Sequence, residues 1–328
     1  MQPNEQSKPK KNTARPLGRL GAFLLVTLAL LLITLLGMIW VLEKGPSPTI
    51  TEKFCRSMRE TSAIRWIPNI FLSQEEVDAF KSESTENDET ETVNPSLIRI
   101  APAAERGTET ADDGVELVAI TRGTAKGKLL IVRDPSRVIL GVLSEEFNAK
   151  TPGLHLTELV AKYGGVAGTN AGGFNDENGR GNGGVPQGLV ISGGALLHTA
   201  REGERYNVVG FDADHILHVG TMTADEALAQ GLTDAVSFRT HDGLASSLII
   251  NGEVQSKNLG GGVNPRTAIG QCADGSVLLL VLDGRSINTL GATMQDVADI
   301  MLEYGAVNAG NLDGGSSSVM VYDGEIIN

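Results

Sequence analysis

Between Leu20 and Leu42 the chain runs for 23 residues without a single charged side chain. At about 1.5 Å of helical rise per residue this run reaches roughly 35 Å, enough to cross the hydrocarbon core of a bilayer. Lys8, Lys10, Lys11, Arg15 and Arg19 precede it. The run exceeds a signal-peptide apolar region and lacks a small-x-small cleavage pattern before Glu43. The expectation is therefore an uncleaved signal anchor: residues 1–19 a basic cytoplasmic tail, 20–42 a transmembrane helix, and everything beyond it extracytoplasmic at the cell membrane. Such a segment is withdrawn from any soluble core, so the fold must be built from the rest.

The anchor also concentrates positive charge at one end. Beyond Lys44 the chain carries 21 basic against 38 acidic side chains, a net charge of −17. A domain of that sign repels nucleic acid and anionic lipid, so no nucleic-acid partner is expected. The two cysteines, Cys55 and Cys272, are too few and too far apart for a disulfide framework. Cys272 reads as a small buried apolar residue.

Residues 43–94 read as a juxtamembrane segment. Ser73 before Gln74-Glu75-Glu76 caps a short helix through about Phe80, and Ser82–Thr92 is a polar, acidic linker. A folded domain is expected over 95–328. Turn signals dominate it. Asn251-Gly252, Asp274-Gly275 and Asp323-Gly324 each separate two strand-like runs, and Gly193-Gly194 and Ala213-Asp214 mark two further hairpins. Helices are few: one after the Thr293-x-x-Asp296 capping box with Val297, Ile300, Met301 and Tyr304 on one face, one over Thr157–Tyr163, and one opened by Thr223. The expected class is α+β, with hairpin-rich mixed sheets, a few helices and one N-terminal transmembrane helix.

An internal echo links two of these stretches. Shifted by 141 positions, Glu158–Gly173 aligns without gaps onto Asp299–Gly314, matching Tyr163 with Tyr304, Gly164 with Gly305, Asn170 with Asn311 and Gly173 with Gly314. Two helix–strand units of equal spacing are expected to bring their glycine-rich ends to one site, with Asn170 close to Asp313.

Three segments carry candidate chemistry. Asn170-Ala171-Gly172-Gly173-Phe174-Asn175, with Asp176 beyond, is glycine-rich. Asn264-Pro265-Arg266-Thr267 opens a strand with a guanidinium, a planar fork suited to phosphate or carboxylate. Leu312-Asp313-Gly314-Gly315-Ser316-Ser317-Ser318 sets one carboxylate beside two glycines and three hydroxyls. Its aspartate can act as acid, base or nucleophile, and its glycines can bring N–H groups to an anion, although Asp-Gly-Gly-Ser is equally good turn chemistry. Asp283-Gly284-Arg285, after the apolar run Val277–Leu282, reads as a turn as readily as a site, and Arg285 is assigned to the turn. His155, His198, His215, His218 and His241 are scattered, and Asp176–Asn182 lacks calcium-loop spacing, so no metal and no cofactor is expected.

Taken in order, Asn170–Phe174, Pro265–Thr267 and Leu312–Ser318 resemble the phosphodiester glycosidase family over about Leu97 to Asn328. Ser316 stands where a third glycine is common, and Asn175 replaces a frequent second aromatic. The resemblance implies hydrolysis of a sugar 1-phosphodiester at the anomeric carbon. In that setting Asp313, Arg266 and Asp283 are the expected catalytic residues. Asn170, Gly172, Gly173, Thr267, Asn311, Gly314, Gly315, Ser316 and Ser317 are the expected substrate-binding residues. Arg266 and glycine N–H groups would hold the phosphodiester, Asp313 would activate water or attack the sugar, and Asp283 would be the second carboxylate. The expected substrate is a sugar phosphodiester in surface or secreted polysaccharide. Two other readings stay open: a non-catalytic glycan-binding module, and a serine hydrolase using Ser316 or Ser317, which lacks a Gly-x-Ser-x-Gly elbow.

Overall fold

The computed structural model describes residues 15–61, 63–80, 92–101, 114–176, 181–238, 247–256, 259–286 and 289–328. The chain divides after Thr51 into an N-terminal unit and a larger unit from Glu52 to Asn328. Helix α1 (Arg15–Lys44) supplies the first unit, and its part from Leu20 to Lys44 is long and apolar enough to cross a membrane. Its leucines face outward, from Leu24 to Leu35. A helix suits that setting because it satisfies its backbone groups internally.

The larger unit begins earlier than Pro95. Helix α2 (Pro48–Arg59) ends in it, followed by α3 (Gln74–Asp78). Ser73 and Glu76 form the anticipated capping box, Ser73 Oγ accepting from Glu76 N at 3.2 Å and Glu76 accepting from Ser73 N at 2.7 Å. Cys55, Leu72 and Val77 close a small core of their own against Phe54 and Phe80. The segment is tied to the rest of the unit through Ser57, which accepts from Val263 N at 2.7 Å, and Glu60, which accepts from Asn264 Nδ2 at 2.8 Å. The acidic stretch 81–91, like the tail 1–14, lies outside the described residues.

The body of the unit is α+β, and the pairings between its strands are antiparallel. In chain order the strands are β1 (Val115–Arg122), β2 (Ala125–Val132), β3 (Ala167–Thr169), β4 (Leu189–Ser192), β5 (Ala195–Thr199), β6 (Tyr206–Asp212), β7 (Leu217–Met222), β8 (Leu232–Ser237), β9 (Ser247–Ile250), β10 (Glu253–Val254), β11 (Arg266–Cys272), β12 (Val277–Leu282), β13 (Ala306–Asn311), β14 (Met320–Tyr322) and β15 (Glu325–Ile326). They form a seven-stranded sheet in the order β1-β2-β12-β11-β13-β9-β10, a five-stranded sheet in the order β5-β4-β8-β6-β7, and a three-stranded sheet in the order β15-β14-β3. Helices α4 (Leu156–Lys162), α5 (Ala224–Ala229) and α6 (Met294–Glu303) complete it.

The larger sheets pack face to face. Leu130, Ile269, Val277, Val281 and Leu312 of the seven-stranded layer meet Val209, Phe211, Leu217, Val219 and Val236 of the five-stranded layer. The opposite face of the seven-stranded sheet, through Leu129, Ala268, Leu278, Leu280 and Leu282, buries Met294, Val297, Ile300 and Met301 of α6. The five-stranded sheet is likewise covered by Ala227 of α5. Burial on both faces explains why β12 reads as an unbroken apolar run rather than an alternating one. At Gly310 of β13 the sheets come so close that a Cβ would lie 2.5 Å from a Val209 methyl.

All five anticipated hairpins are present. Asn251-Gly252 and Asp323-Gly324 hold positive φ at both positions (54° and 85°; 51° and 78°), the geometry of a two-residue turn that follows strand twist. In the β6–β7 turn the left-handed residue is His215 (φ 61°), because the Asp212 carboxylate accepts from the Asp214 and Ile216 N–H groups, each at 2.9 Å. The β1–β2 hairpin was not anticipated.

Candidate active site

The two helix–strand units of the echo do converge. Strand β3 follows α4 and ends before Asn170, while β13 follows α6 and ends at Asn311. The strands lie in different sheets, yet Asn170 Nδ2 donates to the Asp313 carbonyl at 2.6 Å and Asp313 N donates to the Ala171 carbonyl at 2.9 Å. Asn170 Oδ1 accepts from Val319 N at 3.1 Å and from Thr267 Oγ1 at 2.9 Å, and Ser318 Oγ lies 3.2 Å from the same threonine hydroxyl. Leu312 N donates to Thr267 O at 2.9 Å, extending the β11–β13 ladder to the residue before Asp313. Asn170 and Thr267 thus brace the Asp313 loop from below. That is a positioning arrangement, in which the amide of Asn170 faces protein groups on three sides.

Asp313 is held in unusual surroundings. Burial pushes its carboxyl up to about 6, against the pull of hydrogen bonds from the Ser317 side chain and the Gly314 backbone, and the nearby charge of Asp176 pushes it further up. A carboxyl tuned to that range is ionised at neutral pH yet basic enough to take a proton, which suits a general base or a nucleophile. Ser317 and Gly314 therefore act on the carboxylate itself, while Ser316 is exposed to solvent.

The glycines serve close packing. A Cβ on Gly172 would lie 3.0 Å from Val236 Cβ, and Gly173 N donates to Ser237 O at 3.2 Å. Gly315 adopts φ +63° and gives its N–H to Pro265 O at 3.0 Å. These two N–H groups are spent inside the protein, and the glycines bring the segments together. Asn311, the echo partner of Asn170, is buried with its Oδ1 unpartnered among the described residues.

Arg266 turns the other way. Successive strand residues face opposite sides, so Thr267 reaches Asn170 while the Arg266 guanidinium lies buried towards the α6 side. There its Nη1 pairs with Glu60 at 2.8 Å, Nη2 donates to Gly262 O at 2.6 Å, and Nε donates to Ala292 O at 3.2 Å. Arg285 joins the same cluster, donating to Val263 O at 2.8 Å and Asn264 Oδ1 at 2.9 Å. Burial lowers its affinity for its proton, Glu60 offsets this, and Arg266 adds repulsion. The turn signal of Asp283-Gly284 hides the part Arg285 plays here, and no motif marks Glu60. Gly260-Gly261-Gly262 just before Asn264 was the available signal, a glycine-rich loop ahead of an arginine.

Asp283 follows β12 and donates its N–H to Lys126 O at 2.7 Å, with Oδ1 buried and unpartnered among the described residues. Strands β12 and β13 flank β11 on opposite sides. Asp283 and Asp313 thus stand about two strand spacings apart, roughly 10 Å through the backbone. Asp176 is the carboxylate whose charge reaches Asp313.

Other candidates settle into structural places. His218 pairs with Asp212 at 2.8 Å. Cys272 has its thiol pushed up to about 11 by burial and by Asp274, and lies 3.3 Å from Tyr304 O. His241 and residues 177–180 of the oxygen-rich loop lie outside the described residues.

The sequence model described as phosphodiester glycosidase matches residues 163–328. A stretch of 65 residues is 43% identical to the SPbeta prophage-derived uncharacterized protein YomE of Bacillus subtilis (strain 168), covering 20% of this chain and 10% of that protein. The chain thus spans about a tenth of that relative's length. The zebrafish N-acetylglucosamine-1-phosphodiester alpha-N-acetylglucosaminidase catalytic domain, auto-inhibited by its pro-peptide, shares the fold with a TM-score of 0.50 at 20% identity, over 73% of this chain and 80% of that one. With half of its length matched by the family's own sequence pattern, the chain belongs to the phosphodiester glycosidase family.

Proposed function

We propose that this protein is a membrane-anchored hydrolase that cleaves sugar 1-phosphodiesters in cell-surface or secreted polysaccharide, outside the cytoplasm. The observation that carries the reading is the meeting of Asn170, Thr267 and Ser317 around an Asp313 whose carboxyl is raised to about 6. Family membership supports a glycosidase-type reaction, and α1 supports anchoring.

In this reading the bond between the anomeric carbon and the bridging phosphate oxygen breaks. The phosphate monoester departs with the electron pair. Water adds its oxygen to the anomeric carbon, and ionised Asp313 takes a proton from it, directly or after first attacking the sugar itself. A phosphate monoester is a good leaving group, so little acid assistance is required. Asn170 and Thr267 act as positioning residues, holding the main chain of Asp313, and Ser317 steadies its carboxylate. Asp176 is the better-placed second carboxylate, and Asp283 lies farther along the same sheet end. Gly314 gives its backbone N–H to the carboxylate, and Ser316, exposed two residues on, is free to meet a substrate hydroxyl.

One observation favours the alternative of a non-catalytic glycan-binding module: the Arg266 guanidinium is already engaged by Glu60. Turnover separates the two. The full chain in detergent should release free sugar from a sugar 1-phosphodiester, and Asp313→Asn should lose that release while keeping its fold. Sugar binding without release in the wild type would favour the binding module.

A further inference from the structure

The cluster around Arg266 has the composition of an anion site. Its donors converge on one carboxylate: Glu60 accepts from Arg266 Nη1 at 2.8 Å, from Asn264 Nδ2 at 2.8 Å and from the backbone N–H of Gly262. Arg285, held to Asn264, adds a second guanidinium whose charge acts on Glu60 and Arg266. The next N–H, of Val263, goes to Ser57 Oγ at 2.7 Å. A guanidinium, a side-chain amide and a backbone N–H thus face a single acceptor, with the second guanidinium of Arg285 held beside them, and donors of these kinds hold phosphate-type oxyanions. Two positive charges against one negative leave the cluster with a surplus of +1, in a chain whose net charge beyond Lys44 is strongly negative.

The occupant comes from a distant part of the chain. Glu60 follows α2, and this end of the helix rests directly on the glycine loop: a Cβ on Gly262 would lie 2.3 Å from the Ser57 nitrogen. The cradle also adjoins the candidate active site. Pro265, between Asn264 and Arg266, accepts the Gly315 N–H at 3.0 Å, and a Cβ on Gly314 would lie 3.9 Å from Arg266 Cα. Arg285 is exposed, which leaves a ligand a route to the cluster.

We propose that Asn264, Arg266, Arg285 and the Gly262 N–H form a binding site for a phosphate-type oxyanion, and that the carboxylate of Glu60 occupies it until such an anion displaces it. The choice of phosphate as the ligand rests on the proposed function. Binding there requires the end of α2 to lift from the Gly262 loop, so ligand affinity is set by competition with the chain's own glutamate.

The test uses the full chain in detergent and inorganic phosphate as the probe, read as a phosphate-dependent rise in melting temperature at constant ionic strength. Glu60→Gln keeps an acceptor for Gly262 and Asn264 but removes the competing charge, and should bind phosphate at least tenfold more tightly than wild type. Gly262→Ala, which displaces Ser57 and leaves Glu60 intact, should shift affinity in the same direction. Adding Arg285→Ala to Glu60→Gln should abolish the gain. Equal phosphate affinity in wild type and both single variants overturns the proposal, as does a gain that survives loss of Arg285. Assaying sugar 1-phosphodiester turnover on the same proteins distinguishes failures. Turnover without any phosphate gain removes the cradle and leaves the hydrolase; a phosphate gain without turnover in any form does the reverse.

Discussion

Replacing Asp313 by asparagine should make the protein more stable while removing its activity, and the gain should depend on pH in a specified way. The Asp313 carboxyl is raised from 3.8 to about 6, chiefly by burial. Each pKa unit is worth about 1.4 kcal/mol, so holding the ionised form costs the fold about 3 kcal/mol. Between about pH 4 and 6 the native state keeps a proton that the unfolded chain has released. Wild-type stability from this group is therefore full below the unfolded value and is lost as pH rises through 6. Asparagine carries no such charge and keeps an oxygen that can accept from Ser317. The variant should melt within a degree or so of wild type near pH 4 and roughly 6–12 °C higher near pH 7.5, given about 2–4 °C per kcal/mol for a domain of this size. Calorimetric or fluorescence melts of both proteins at the two pH values are the assay. Equal shifts at both pH values, or a variant less stable than wild type at the higher pH, would refute the claim that burial strains this carboxylate.

The same shift predicts that turnover falls on the acid side with an apparent pKa near 6, and that the limb vanishes in any residual activity of Asp313→Asn. Asn170→Ala removes contacts to the Asp313 carbonyl, Thr267 and Val319; it should destabilise the domain by about 2–3 kcal/mol and lower kcat much more than it raises KM. Gly310→Ala would press a Cβ against Val209 at 2.5 Å, so chemical denaturation should register a loss of about 1–3 kcal/mol. Arg266→Ala should destabilise more than Arg285→Ala, because it leaves Glu60 buried without its 2.8 Å partner; losses of about 3–5 kcal/mol are usual for a broken buried pair, and urea melts of the two variants compare them directly.

Features with a local cause were legible in the sequence. The hairpins at Asn251-Gly252 and Asp323-Gly324 announce themselves because the left-handed conformations they need are confined to few residue types. The capping boxes at Ser73, Thr223 and Thr293 are likewise spelled out within four residues. The echo located the Asn170–Asp313 meeting, since equal helix-to-strand spacing carries each asparagine to the end of its strand. The contacts of Glu60 with Gly262, Asn264 and Arg266 span some 200 positions and follow no periodicity, so nothing near Glu60 marks it. The side on which Arg266 faces was equally hidden, because it depends on the register of β11 against β13 rather than on Pro265 or Thr267. The inclusion of this segment in the folded unit rests on those same long-range contacts of Glu60 and on Ser57, while its own small core of Cys55, Leu72 and Val77 resembles any short apolar scatter.

In the proposed reaction the anomeric carbon–oxygen bond is the one cleaved, with Asp313 directing water to the sugar. Hydrolysis of a sugar 1-phosphodiester by the full chain in ¹⁸O-labelled water tests it most directly, with mass spectrometry of both products. Cleavage at the anomeric carbon puts label in the released sugar and none in the phosphate monoester. Label in the phosphate monoester, which means cleavage at phosphorus, would contradict it.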